Sequence, residues 1–180
     1  MRVFAYCTEE AHVAVARATG VQPLTSPPLT AIDFRPEWLE GYDVLYFRLH
    51  GKRGMVGWYG DGQAGQPVAL LSVNILSACL NGCVAVVANC YGADNDPMVD
   101  ALYRVGAEAV IAGAGKNKAL GRKVVGTDLL AQWVIGALRM GWSVPVALSV
   151  AKARLALTAF RESDADALGF RIVKKKEYGK

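Results

Sequence analysis

A chain of 180 residues, 53% of them hydrophobic, is long enough to bury one α/β core and short for two. Its net charge of +4 is mild, and its densest basic stretch, Lys174-Lys-Lys176, lacks interleaved aromatics, so it reads as a solvated tail and argues against nucleic-acid binding. No run reaches the roughly 18 apolar residues of a membrane span, and Thr8-Glu9-Glu10 ends the apolar start too early for a signal peptide, so a soluble, cytoplasmic protein with its four cysteines as thiols is expected.

Arg2 to Cys7 reads as a first strand, after which Thr8 caps a helix carrying Glu9 and Glu10 in its first turn and stopping at Gly20. His12 on that helix has no partner at ligand spacing and is given no role. Pro23, Pro27, Pro28 and Pro36 make the next stretch largely loop, with at most a short edge strand from Leu29 to Phe34. Trp38-Leu39 is expected to pack under the sheet. Asp43-Val-Leu-Tyr-Phe-Arg-Leu-His50-Gly51 and Cys83-Val-Ala-Val-Val-Ala-Asn-Cys90-Tyr-Gly-Ala93 are apolar runs of the kind that forms strands buried on both faces of a parallel sheet.

Between them, Gly51, Gly54, Gly57, Gly60, Gly62 and Gly65 predict a mobile loop at the edge where α/β sheets bind ligands. Val68 to Leu80 shows helical spacing (Leu71, Ile75, Leu76, Cys79, Leu80) and predicts the crossover helix, with Cys79 and Cys83 as small buried hydrophobes. A zinc site built on Cys79, Cys83 and a histidine lacks a second ligand pair and is not expected.

Asp96-Pro97 opens a helix that ends at Gly106, and Glu108 to Ala112 is the next strand. Gly113-Ala-Gly-Lys-Asn-Lys-Ala-Leu-Gly121 only superficially suggests a phosphate loop, because Asn117 stands where Ser or Thr should follow the lysine and Val110 where the first glycine should be. Thr127 is expected to cap a helix with Leu130, Trp133, Val134, Ala137 and Leu138 on one face and Gly141 at its end. Ser143 and Pro145 open another helix, and Phe170 to Val173 is a last edge strand.

The chemistry lies at the ends of the two apolar runs. About 33 residues separate them, enough for a right-handed crossover between parallel neighbours. Neighbouring strands lie roughly 4.8 Å apart, so His50 and Cys90 would share a carboxyl edge as an acid–base partner and a nucleophile. The alternative for Cys90 is a buried core thiol.

These blocks resemble those of the caspase-like cysteine peptidases, and most closely the gingipain and CHAT-domain branch. That group has a hydrophobic block ending in His-Gly, here His50-Gly51, and a second block ending in the catalytic cysteine, here Asn89-Cys90-Tyr91-Gly92. The stretch from Pro97 to Gly113 resembles the family's helix and next strand, and Gly141-Trp-Ser-Val-Pro-Val-Ala-Leu148 its late helical pair. The sequence departs from the family at Asn89, where many relatives have a small residue or Gln, and at the bulky Leu49.

The resemblance implies a three-layer αβα sandwich with a mostly parallel sheet over residues 1–173, followed by a basic tail at 174–180. It implies a cysteine endopeptidase working through His50 and Cys90, with the amides of Gly51 and Cys90 as the oxyanion hole and neither cofactor nor metal. Peptide or protein is the expected substrate, an activating protein partner is left open, and no membrane or nucleic-acid partner is expected. Asp61 and Asp94 on the edge loops are expected to bind substrate and to favour a basic residue before the scissile bond, whereas Arg48, Arg53 and Lys116 would argue the reverse. Trp58 is either a substrate-facing wall or the anchor of its loop. Two other classes stay open: a catalytically silent caspase-like binding or regulatory module, and a Rossmann-like small-molecule binder.

Overall fold

A computed structural model describes residues 1–61, 65–94, 96–117, 123–158 and 162–175, and for residues 96 and 162–164 the backbone only. Its centre is the pair of apolar runs: β3 (Val44–Arg48) and β6 (Val84–Val87) lie side by side and parallel, in the register Val44↔Val84 to Phe47↔Val87. Around them a six-stranded sheet assembles in the order β2-β1-β3-β6-β7-β8, from β1 (Val3–Thr8), β2 (Leu24–Ser26), β7 (Ala109–Ala112) and β8 (Arg171–Ile172). All pairings are parallel except that of β8 with β7.

The central strands are apolar at consecutive positions because each face of the sheet has its own core. Val3, Ala5, Tyr46, Val86 and Ile111 face α1 (His12–Thr19), α4 (Gly126–Arg139), α5 (Val144–Thr158) and α6 (Glu162–Leu168). Phe4, Leu45, Phe47, Val87 and Val110 face α2 (Ser72–Leu76), α3 (Asp96–Arg104) and a two-stranded antiparallel hairpin, β4 (Gly57–Tyr59) with β5 (Val68–Leu71). The chain is therefore α/β with a mostly parallel central sheet flanked by helices, compatible with a three-layer sandwich. Among the described residues no helix is long and apolar enough to cross a membrane.

Several local expectations are corrected. The edge strand is Leu24–Ser26, not Leu29 to Phe34; it ends where Pro27 and Pro28 supply no N–H to a ladder. Thr8 closes β1 and makes no side-chain cap bond, and a 3₁₀ turn at Glu9–Ala11 intervenes before α1. Val68 to Leu71 is strand rather than crossover helix, and only Ser72–Leu76 is helical, because β5 pairs with a strand inside the glycine-rich segment. That segment is correspondingly not loop throughout: Gly57 is buried against Leu70 and Leu71, where a larger residue would crowd β5. Gly62, the end of the 113–121 loop and residues 176–180 of the tail lie outside the described residues.

Candidate active site

Beyond β3 the chain continues through Leu49 to His50, and beyond β6 through Ala88 and Asn89 to Cys90. Parallel pairing in register puts both ends at one edge. Both side chains line a single cleft of about 60 Å³ with Thr8, Arg48, Leu49, Ala88, Asn117 and Thr127.

His50 is fixed twice. Its backbone N–H donates to Tyr59 O at 2.8 Å, and its carbonyl accepts from Tyr59 N–H at 2.9 Å, so the hairpin strand β4 holds the residue in place. Its ring Nε2 lies 2.8 Å from Asp61 Oδ1, while Asp61 Oδ2 accepts the Glu10 N–H at 3.0 Å. A carboxylate can only accept, so this contact assigns the ring proton to Nε2. Nδ1 has no hydrogen bond among the described residues. Asp61 thus orients the histidine, and both of its oxygens are engaged within the chain rather than turned to an open pocket wall as expected of a substrate contact.

Cys90 is half-buried at a sharp reversal: the next residue, Tyr91, takes the left-handed conformation at φ 55°, rare for a bulky side chain, and its N–H donates to Gly115 O. The sulfur sits against the peptide groups of Asn117, whose N–H and carbonyl oxygen are each 3.4 Å from Sγ. The Asn117 N–H donates to the sulfur, and the Cys90 S–H donates to the Asn117 carbonyl oxygen, so the backbone of one residue positions the thiol from both sides. Gly51 packs against the backbone of Cys90 so closely that a Cβ there would lie 2.1 Å from the Cys90 carbonyl oxygen. Only glycine allows this approach, which keeps the two strand ends together.

Two buried asparagines splint the edge. Asn89 Oδ1 accepts the Leu49 N–H at 2.7 Å, joining the ends of the His50 and Cys90 strands. Asn117 Nδ2 donates to Ala88 O at 3.2 Å and Asn89 O at 2.8 Å, joining the segment after β7 to the same edge. Below them, Arg48 Nη1 meets Asp128 Oδ2 at 2.6 Å, and Asp128 also accepts from the Tyr46 hydroxyl (2.8 Å) and the Val125 N–H (3.0 Å). Burial raises the Asp128 pKa, with the Arg48 guanidinium opposing it. Asp128, not Thr127, supplies the side-chain bond at the start of α4; Thr127 lines the cleft instead.

Compared with protein-family models and with curated proteins, the chain matches none. The site therefore rests on its own geometry.

The remaining candidates separate clearly. Trp58 is fully enclosed against Phe47, ring centroids 4.8 Å apart, so it anchors its hairpin and cannot touch substrate. Asp94 follows Cys90 in a 3₁₀ turn at Gly92–Asp94, but its carboxylate is 3.3 Å from Arg53 Nη2, and the Arg53 guanidinium lies over the Tyr91 ring. With Asp61 and Asp94 both engaged, the expected basic-residue preference loses the free carboxylates on which it rested. Arg48 is likewise neutralised by Asp128. Cys79 is exposed, contrary to expectation, because α2 stops at Leu76 before reaching it. Cys7 and Cys83 are buried, and burial pushes their thiols up to about 12 and about 11. Local pattern marks neither Asn117 nor Asp128 as a partner of the cleft, whereas a polar residue directly after an apolar run, as at Asn89, is a signal of structural glue.

Proposed function

We propose that this chain is a caspase-like cysteine endopeptidase in which Cys90 is the nucleophile, His50 the general acid and base, and Asp61 the group that orients His50. The carrying observation is that His50 and Cys90 end adjacent parallel strands and line one cleft, with Nε2 of His50 held by Asp61. Holding the proton on Nε2 leaves Nδ1 free to take the Cys90 proton.

The thiolate then adds to a peptide carbonyl, and the amides of Gly51 and Cys90 receive the oxyanion. Collapse of this intermediate breaks the C–N bond, the imidazolium gives its proton to the departing amine, and a thioester remains on Cys90. His50 next deprotonates a water that attacks the thioester, releasing the carboxylic acid and restoring the thiol. The experiment is a fluorogenic peptide panel varied at the residue before the scissile bond, run on a Cys79→Ser background so that the exposed thiol does not contribute. Turnover that vanishes in Cys90→Ala and in His50→Ala is expected. Turnover retained in Cys90→Ala would sink the reading.

A second reading, a catalytically silent module on the same scaffold, is favoured by the small cleft and by the Asn117 peptide against the thiol. It predicts no turnover of any peptide in the panel, with the unchanged fold seen in circular dichroism.

A further inference from the structure

Helix α5 buries one side and exposes a mixed one, in which apolar side chains stand among Ser149, Lys152 and Arg154. Val144, Ala147, Leu148, Ala151 and Leu155 are buried in the core. On the opposite side Val146 is 48% exposed and Leu157 83%. Where α5 runs beside α4 there is a groove of about 480 Å³, with Trp133, Gly136, Ala137 and Val150 on its floor and Met140 and Trp142 on its walls. A Cβ placed on Gly136 would meet no atom within 4 Å, so the floor is open. Arg139 and Arg154 line the same groove. Neither makes an ion pair among the described residues, and no acidic side chain lines the groove with them.

We infer that this groove is a docking site for an acidic peptide segment of a partner protein, one that seats an apolar side chain between Met140 and Trp142 and sets carboxylates on Arg139 and Arg154. Charge selects the occupant. Bidentate arginine–carboxylate contact suits a rim of two guanidiniums that have no ion pair among the described residues, set over an apolar floor. A second copy of the chain, related by a two-fold axis through the groove, would set arginine against arginine with no acid between them. A bilayer surface is planar and would not reach the concave floor, although exposed Trp and Arg side chains suit an anionic membrane. The inference does not depend on the peptidase reading, because none of these groove residues lines the catalytic cleft.

The test is a selection of random 16-residue peptides on immobilised full chain, with affinities of the winners measured by fluorescence anisotropy. Enriched peptides should carry Asp or Glu near an apolar residue. Their affinity should drop at least tenfold both in the double variant R139E/R154E and in Gly136→Leu, which fills the floor. Thermal melts of both variants serve as the folding control, and a further variant, Arg154→Glu alone, keeps the test open if either one fails to fold. The inference is overturned if no peptide is enriched, if winners are neutral or basic, or if folded variants bind them as the parent does. It is equally overturned if phosphatidylserine vesicles, or a concentration-dependent dimer, show the same dependence on these residues in place of the peptides.

Discussion

At the scale of single residues, the contact that organises the cleft is His50 Nε2 on Asp61. An imidazole that must shuttle a proton at one nitrogen needs the other held, or the wrong tautomer and a rotated ring become populated. Asp61→Asn can still bond to the ring, but it removes the negative charge that, on the peptidase reading, faces the imidazolium formed during attack. On the peptidase reading, kcat should fall on the order of 10²-fold with little change in KM, the size typical of a lost acid–base function. A raised KM at constant kcat would instead assign Asp61 to substrate. Thiol labelling gives a second outcome at this scale. In the native chain Cys79 and Cys90 should react with an iodoacetamide reagent, and Cys7 and Cys83 only after denaturation, because burial keeps those two protonated. Mass spectrometry of the labelled peptides reads this directly.

At the scale of elements, the β4–β5 hairpin and the two asparagines do what long side chains at the cleft do not: they set the positions of strand ends. Trp58→Ala removes a fully buried indole packed on Phe47 and should cost about 3–5 kcal/mol in urea unfolding. Asn89→Ala leaves the Leu49 N–H without its acceptor and should cost about 1–3 kcal/mol. Asn89→Ala should also lower any peptidase activity, since misplacing reacting groups by about 1 Å can cost about 10²-fold. An Asn89→Ala chain as stable as the parent would show that the two strand ends do not rely on this bond. The element boundaries explain where sequence pattern misled. Leu71, Ile75 and Leu76 have helical spacing, but Val68 to Leu71 finds a strand partner in Gly57–Tyr59, and this non-local pairing outweighs local periodicity.

At the scale of the whole molecule, Arg48 and Asp128 join the carboxyl edge of the sheet to the first turn of α4 across a buried ion pair. Breaking one partner leaves a buried charge, so Arg48→Met should cost about 3–5 kcal/mol, and adding Asp128→Leu should recover only part of it, because the Tyr46 hydroxyl and the Val125 N–H then lose their acceptor. Denaturant midpoints of the two variants decide this. The buried thiols give a pH dependence whose sign is set by their raised pKa values. Above the ordinary thiol range the unfolded chain loses protons from Cys7 and Cys83 that the folded chain retains. Their contribution is therefore fully present below about 8.5 and is lost as pH rises toward about 11 and about 12. The melting temperature should fall between pH 9 and 11, and the fall should be shallower in Cys7→Ala.

What the sequence determined by itself is the layout around the two apolar runs. Runs without alternation require a sheet covered on both faces, and an apolar block stopped by a polar or reactive side chain puts that side chain at a strand end. The roughly 33 residues between the runs only allow the two strands to be parallel neighbours; the pairing of β3 with β6 makes them so. Only the tertiary structure decided what meets those side chains. Asp61 reaches His50 from a hairpin, Asn117 reaches Cys90 from the segment after β7, and Asp128 reaches Arg48 from α4. Such partners lie 11, 27 and 80 residues away. A local pattern reports which face a residue takes, but not which distant backbone will be brought against it. Trp58 shows the same limit, since an aromatic in a glycine-rich segment has the same sequence signature whether it lines a groove or is enclosed beneath a hairpin.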